Sequence, residues 1–289
     1  MTTGVIHDLG YQRYTGPRLG RGYAFRTLYV HSLRTAFGLG RGIKAKIYTW
    51  SIMGIILAVG LMITVIESQT KQNIATSPQF VDQVTFLSIL LLAGVAPELS
   101  SRDQQTRALS LYFARPLRRT DYALARLGGL ITALFLVLAA PVTLMFAGAA
   151  LSTSKGATGV WHAAGDFGAG LAHSATHALV LSSISLLIAS LVRRRAVAAA
   201  AIVAVFLVTT PAVAFTEALD VNQGTSEFVS MTNPPTALNY LATWLYAGGD
   251  GNFSGGDRIA HGPLLAVYFV VVVAACTALL VVRYRKVPA

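Results

Sequence analysis

The sequence predicts an all-α membrane protein with six transmembrane helices, and three observations predict it. Of its 289 residues 54% are hydrophobic and 12% charged, with a mean hydropathy of +0.58. That balance is too apolar for a soluble domain of this length. Five apolar stretches reach the length of about 20 residues that a helix needs to cross the hydrocarbon core, and a sixth approaches it. Finally, the basic residues sort onto alternate connections between these stretches. Of 23 Lys and Arg, 20 fall in Arg13 to Lys46, Glu98 to Arg126, Arg193 to Arg195 and Arg283 to Lys286, leaving Lys71, Lys155 and Arg258 on the other parity. Loops rich in Lys and Arg stay cytoplasmic on insertion, so both termini are expected in the cytoplasm and the number of crossings is even.

Residues 1–46 are expected to form a cytoplasmic segment, and residues 47–289 a six-helix bundle, the whole making one membrane domain. Phe25, Leu28, Tyr29, Leu33, Ala36 and Phe37 recur at helical spacing, with Arg26, His31 and Arg34 largely opposite. This spacing predicts an amphipathic helix at the cytoplasmic interface, its stripe in the acyl boundary and its arginines at the headgroups. Gly38, Gly40 and Gly42 then lead into the first span, Ile47 to Ile66, which is expected to serve as an uncleaved insertion signal.

The second stretch, Val84 to Pro97, is short, reaches spanning length only with Phe80, Val81, Asp82 and Gln83 at the interface, and taken alone could be re-entrant. The charge pattern requires it to cross, because otherwise the six cations after Glu98 would face away from the eight at the start. After it, Asp103 and Arg107 stand four apart on one helix face, and Leu109, Tyr112 and Phe113 form an apolar patch on another. Pro116 ends this short cytoplasmic helix, and Thr120 with Asp121 can cap the next. A greasy helix held between two spans suits docking into a partner's groove or folding back on its own protein.

The remaining spans are Leu127 to Leu151, Leu171 to Val192, Ala196 to Phe215 and Leu264 to Val282. Between the last two lies a long outer segment, in which Asn233-Pro-Pro-Thr starts a helix carrying Leu238, Tyr240, Leu241, Trp244, Leu245 and Tyr246. Aromatic residues of this kind settle at a membrane surface, so short outer helices are expected between the fifth and sixth spans.

Enzyme chemistry finds little support. The chain lacks a Gly-x-Ser-x-Gly elbow, a His-Glu-x-x-His helix and a Cys-x-x-Cys pair, and Gly38-Leu-Gly-Arg-Gly42 lacks the Lys-Ser/Thr ending of a phosphate loop. Cys276, the single cysteine, lies in the last apolar stretch, where packing is its expected role. The net charge of +11 flanks apolar spans instead of filling one polar domain, so lipid headgroups and not nucleic acid are the expected partner. His173 and His177 stand four apart at the outer end of the fourth span, with His162, Asp166, Asp257 and His261 also on outward segments. A surface metal site is conceivable there, as are ordinary interfacial histidines. It underlies an alternative reading of the chain as a membrane-embedded metal-handling protein or enzyme. The cores of the six stretches hold no Asp, Glu, Lys or Arg, which leaves ion-coupled pumping little to work with. Their polar groups include Ser182, Ser183, Ser185, Thr209 and Thr210, candidates for a substrate path or for bonding between helices.

This order of parts resembles the permease subunits of type-2 ABC exporters over nearly the whole chain. In the loop after the second span such permeases carry an acidic residue, a Gly-Thr-Leu stretch, a leucine-rich turn, a proline and a basic residue. Asp103, Leu109, Leu111, Pro116 and Arg119 match that pattern, whereas Arg107, Ala108 and Arg126 depart from it. The opening, with Tyr11, Tyr14, Gly16, Pro17, Arg18 and Gly20, is similar to permeases of actinobacterial type. The resemblance implies a multi-pass protein of the bacterial plasma membrane that exports an amphipathic or hydrophobic substrate and is not itself an enzyme. Two permease halves, identical or related, would rest on two copies of a separate ATP-binding cassette subunit. That subunit would hold ATP and Mg, and this chain no cofactor. Leu109, Tyr112 and Phe113 would anchor the docking helix, Arg102, Asp103, Arg107 and Arg115 would set its register, and Tyr240, Trp244 and Tyr246 would form an outer gate.

Overall fold

A computed structural model describes residues 16, 19–40, 42–70, 74–105, 117–153, 156–219, 223–246 and 261–286, which carry helices and no strand. In chain order the helices are α1 (Arg21–Ala36), α2 (Ile43–Thr70), α3 (Ser77–Gln83), α4 (Thr85–Gln105), α5 (Arg119–Ser152), α6 (Gly156–Leu191), α7 (Arg195–Leu207), α8 (Thr210–Ala218), α9 (Gln223–Ser230), α10 (Pro234–Tyr246) and α11 (Gly262–Arg285). Helices α2, α5, α6 and α11, and the run Arg195–Phe215 through α7 and α8, are each long and apolar enough to cross a membrane. The second apolar stretch is bent. Helices α3 and α4 meet at 54°, and together they make the sixth candidate span.

Local chemistry explains that break. Thr76 caps α3 in a reciprocal box with Gln79, and Pro78 sits in the first turn, where its missing N–H costs nothing. The Asp166 carboxylate of α6 accepts from the Ser77 N–H at 3.0 Å and the Ser77 hydroxyl at 2.6 Å. An acid at a helix N-terminus is favourable, so α3 is tethered to α6 in a direction of its own. Phe80 and Val81, expected at the interface, are instead fully buried.

Helices α5 and α6, of 34 and 36 residues, form the centre, and α2, α4, α7 and α11 pack around them. Helix α6 begins fifteen residues before the expected span, as the polar run from Gly156 continues into the apolar one without a stop signal. The fifth span is interrupted at Val208 and Thr209, just before Pro211. Pro211 stands in the first turn of α8 and supplies no N–H to continue the ladder of α7, which fits a helix ending and a new one starting there.

Gly54 and Ala58, and Thr143 and Ala147, have the four-residue spacing of small residues that allows close helix packing, but all four are exposed and close packing rests on other small residues. A Cβ on Gly60 would stand 2.8 Å from Pro141, and one on Gly148 would collide with Thr64, so α2 and α5 approach closely at two levels. The crossings alternate in direction. The ends of α4, α6 and α11 and the starts of α5 and α7 therefore gather at one end, here called the basic end, and α3, α9 and α10 lie at the opposite end.

Candidate functional site

At the basic end, α1 lies across α5 and α4. The expected stripe is present: Leu28 and Ala36 are buried, and Phe25, Tyr29, Leu33 and Phe37 are partly buried against the core. Arg26, His31 and Arg34 are exposed on the other face. The stripe is thus taken up by the bundle itself and not by acyl chains alone. Three contacts fix the seat. Arg21 forks onto Asp121 with N–O distances of 2.5 and 2.6 Å, and this bonded carboxylate raises the Arg21 guanidinium pKa above its ordinary value. The Tyr29 hydroxyl donates to the Thr132 hydroxyl at 2.9 Å. Between them, Gly129 lets α1 approach until a Cβ there would stand 2.6 Å from Ser32 Cβ.

The same end carries the charged groups that hold neighbouring helices in register. Glu98, buried on α4, pairs with Arg195 at the start of α7. Ser100 and Tyr284 share a hydrogen bond of 2.6 Å between α4 and α11, and Tyr284 packs edge-on against Tyr122 at 5.0 Å. Arg126, also buried, stacks over the Tyr122 ring at 5.3 Å and reaches the Ser32 hydroxyl of α1 at 3.4 Å. Sequence reasoning placed Glu98 and Arg126 in a polar loop. Their burial follows from helices that run past the apolar stretches, which hydropathy alone does not reveal.

Of the expected docking residues, Arg102 and Asp103 form part of the last turns of α4. Arg107, Leu109, Tyr112, Phe113 and Arg115 lie outside the described residues, in the connection between α4 and α5. That connection therefore joins helices bound to α1 on one side and to α11 on the other.

At the opposite end, α10 packs on α3, α6 and α11, and α9 links it to α8. Trp244 lies so close over Gly262, at the start of α11, that any Cβ there would meet the indole. Tyr240 packs partly buried against the core, and Tyr246 is half-buried, which raises its hydroxyl pKa above the usual phenol value. Tyr240, Trp244 and Tyr246, expected to form a gate, all lie on α10, and the Tyr246 ring stands 6.1 Å from that of His173. The Asn233 amide donates to the Thr210 hydroxyl at 3.1 Å, tying the start of α10 to the start of α8.

Ser182, Ser183 and Ser185 are buried within α6. Ser183 bonds back to the Leu179 carbonyl at 2.6 Å, whereas the Ser182, Ser185 and Thr209 hydroxyls have no hydrogen-bond partner among the described residues.

Beneath α10 lies a cluster that the sequence only half revealed. His173 and His177, one turn apart on α6, are 1% and 0% exposed, and their rings stack edge-on at 4.4 Å. They are core groups, not interfacial ones. Their carboxylate partner is Asp82, at the end of α3, whose Oδ1 lies 2.9 Å from His173 Nε2 and 3.4 Å from His177 Nε2. Asn239 of α10 donates to the other oxygen, Oδ2, at 3.1 Å. Asp166 is engaged with Ser77, His261 rests against Phe228, and Asp257 lies outside the described residues. Asp82 was missed because it stands about ninety residues away in sequence and the bend between α3 and α4 is what carries it inward.

A family model described as ABC-2 family transporter protein matches residues 98–287, well over half of the chain. The chain belongs to that family. It is accordingly a multi-pass membrane component of an ABC transporter, of the kind that works with an ATP-binding cassette subunit. No curated protein matches the chain. The family match begins at Glu98, so it takes in α5, α6, the outer helices and α11, and leaves out α1, α2 and the opening segment.

Proposed function

We propose that this ABC-2 permease is one half of an ATP-driven exporter for an amphipathic or hydrophobic substrate. In this reading two permease halves rest on two copies of the ATP-binding subunit at the basic end, which is the cytoplasmic one, as an excess of Lys and Arg favours. What carries the reading is the seat of α1. It is clamped to α5 by Arg21–Asp121, Tyr29–Thr132 and the Gly129 crossing, with Asp121 in the first turn of the helix that follows the connection of residues 106–116 in the chain. A subunit that grips α1 and that connection together holds a stiff handle joined to the two helices flanking it. When ATP draws the two subunits together, α4 and α5 tilt as rigid rods and change which side the path between the halves opens to. The aromatic groups of α10 then act as the outer gate. The chain supplies mechanical response, and its partner supplies the ATP and Mg chemistry.

The test replaces Tyr112 and Phe113 by Asp in the complex reconstituted with its ATPase. Anchors of this kind are worth about 2–4 kcal/mol each at an interface, so the double variant should separate ATP hydrolysis from transport. Its thermal stability should stay that of the wild type. Full coupling in the double variant would remove the docking helix from the argument.

A further inference from the structure

Asp82, His173 and His177 form a compact group of side chains of metal-ligating type. Its three ligand atoms lie within 4.8 Å of one another, two of the residues are almost wholly buried, and each sits on a helix held by other contacts. His177 shows why a positive occupant is wanted. Its Nδ1 faces the His173 carbonyl oxygen at 3.3 Å, an atom that only accepts, so Nδ1 carries the hydrogen and Nε2 presents a lone pair. That lone pair points at Asp82 Oδ1, 3.4 Å away, and at the Thr85 hydroxyl, 3.2 Å away. The Thr85 hydroxyl has the Val81 carbonyl at 3.1 Å to take its hydrogen. The His177 lone pair and the Asp82 carboxylate thus face one another at 3.4 Å with His173 Nε2 beside them at 2.9 Å from the same oxygen, a set of donor atoms that a cation between them would engage together.

We propose that Asp82, His173 and His177 bind one zinc ion, resident in the fold and not carried as cargo. Two imidazoles and a carboxylate are a borderline donor set that zinc accepts. With ligand bonds of about 2.0–2.1 Å, the corners of a tetrahedron stand about 3.3–3.4 Å apart, close to the 2.9 and 3.4 Å already present. The third edge, between the two histidine nitrogens, lies within 4.8 Å, so filling the site draws the two rings together. The supporting contacts are those a zinc site uses: the His177 Nδ1 hydrogen on a backbone carbonyl and the free Asp82 oxygen on Asn239. Thr85 stands beside the fourth position. The ion joins the bend between α3 and α4 to α6, and through Asn239 it draws α10 down onto both. It thereby sets the rest position of the outer helices, independently of how the basic end is driven.

The experiment uses the full chain in detergent, purified by a tag free of histidine and exposed first to a strong chelator, then to zinc or cobalt. Elemental analysis should give about one zinc per chain after gel filtration, and cobalt should give the intense visible absorption of a tetrahedral centre. Asp82→Asn with His177→Gln should lose both signals. Asn239→Ala, which leaves every ligand in place, should weaken zinc about 10–100-fold and keep the cobalt spectrum. Zinc should raise the Tm of the wild type and not that of the double variant. A wild-type chain that takes up no zinc, or a double variant that retains it, overturns the proposal. Retention in the double variant would assign the ion to surface histidines such as His162. Should the double variant fail to fold, the wild-type cobalt spectrum and the Asn239→Ala affinity still decide.

Discussion

Replacing Gly129 by Ala tests whether α1 is a handle or an ornament. Two opposing effects act at this position. Within a helix, Ala is more favourable than Gly by about 0.5–1 kcal/mol. Against this, the new Cβ would stand 2.6 Å from Ser32 Cβ, 3.2 Å from the Leu33 nitrogen and 3.3 Å from the Tyr29 oxygen. None of these is the far end of a flexible side chain, so α1 must move outward, and overpacking of this kind costs about 1–3 kcal/mol. The matched control is Gly54→Ala on α2, where a Cβ meets nothing within 4 Å and the propensity gain acts alone. The two variants should differ by about 2 kcal/mol in opposite directions from wild type. At roughly 2–4 °C per kcal/mol that is a separation of several degrees in Tm, measurable in detergent by intrinsic fluorescence. Displacing α1 also stretches Arg21–Asp121 and Tyr29–Thr132, so transport per ATP should fall in Gly129→Ala and stay unchanged in Gly54→Ala. Equal stability and equal coupling in both variants would refute the close crossing and the lever built on it.

Other perturbations address the remaining contacts. Arg195→Ala leaves the Glu98 carboxylate buried without its ion pair. The loss should be about 1–3 kcal/mol, below the about 3–5 kcal/mol of a fully buried pair because Arg195 is half-exposed, and a double-mutant cycle with Glu98→Gln should recover part of it. Ser182→Ala and Ser185→Ala remove buried hydroxyls that lack partners among the described residues, so each should leave Tm unchanged or raise stability by up to about 1 kcal/mol. Transport measured on the same variants then separates a packing role from a path, since only a substrate contact lowers transport in a stable protein. Gly262→Ala should drive Trp244 off the start of α11 and loosen α10, read as faster proteolysis of the outer segment at unchanged global Tm.

What could be read from the sequence, and what could not, divides by the range of the interactions. Hydropathy reports length and polarity along one segment, and it placed the five long spans and the stripe of α1 correctly. Charge parity was needed for the second crossing, because its apolar run is short. The structure shows why: the span is assembled from α3 and α4 across a bend, so no single window of sequence contains it. The aromatic helix α10 was legible from its Pro-Pro start and its spacing. The Asp82 partner of the two histidines was not, since periodicity on α6 says nothing about which acid another helix brings to it. Burial of Glu98 and Arg126 was hidden for a related reason. Helices α4 and α5 continue beyond their apolar cores, and the residues there are covered by neighbours, not by lipid.

In the proposed reading the distribution of polar contacts suits a chain that transmits force mechanically. At the basic end ion pairs and hydrogen bonds join α1, α4, α5, α7 and α11. At the opposite end Asp82, Asp166 and Asn239 join α3, α6 and α10. Between these layers the helices meet through apolar side chains and glycines, which permit sliding and tilting without breaking a charged pair. Helix α5 bridges the two layers, since it carries the seat of α1 near Asp121 and Gly129 and meets α2 again at Pro141 and Gly148. Thirty-four residues of helix span about 50 Å, so a small tilt imposed at Asp121 becomes a displacement of several ångströms at the far end. A stiff rod with a polar clamp at one end and a smooth middle is what a remote motor needs. The same design makes the far layer the natural place for a counter-clamp, and the buried Asp82, His173 and His177 cluster occupies that place.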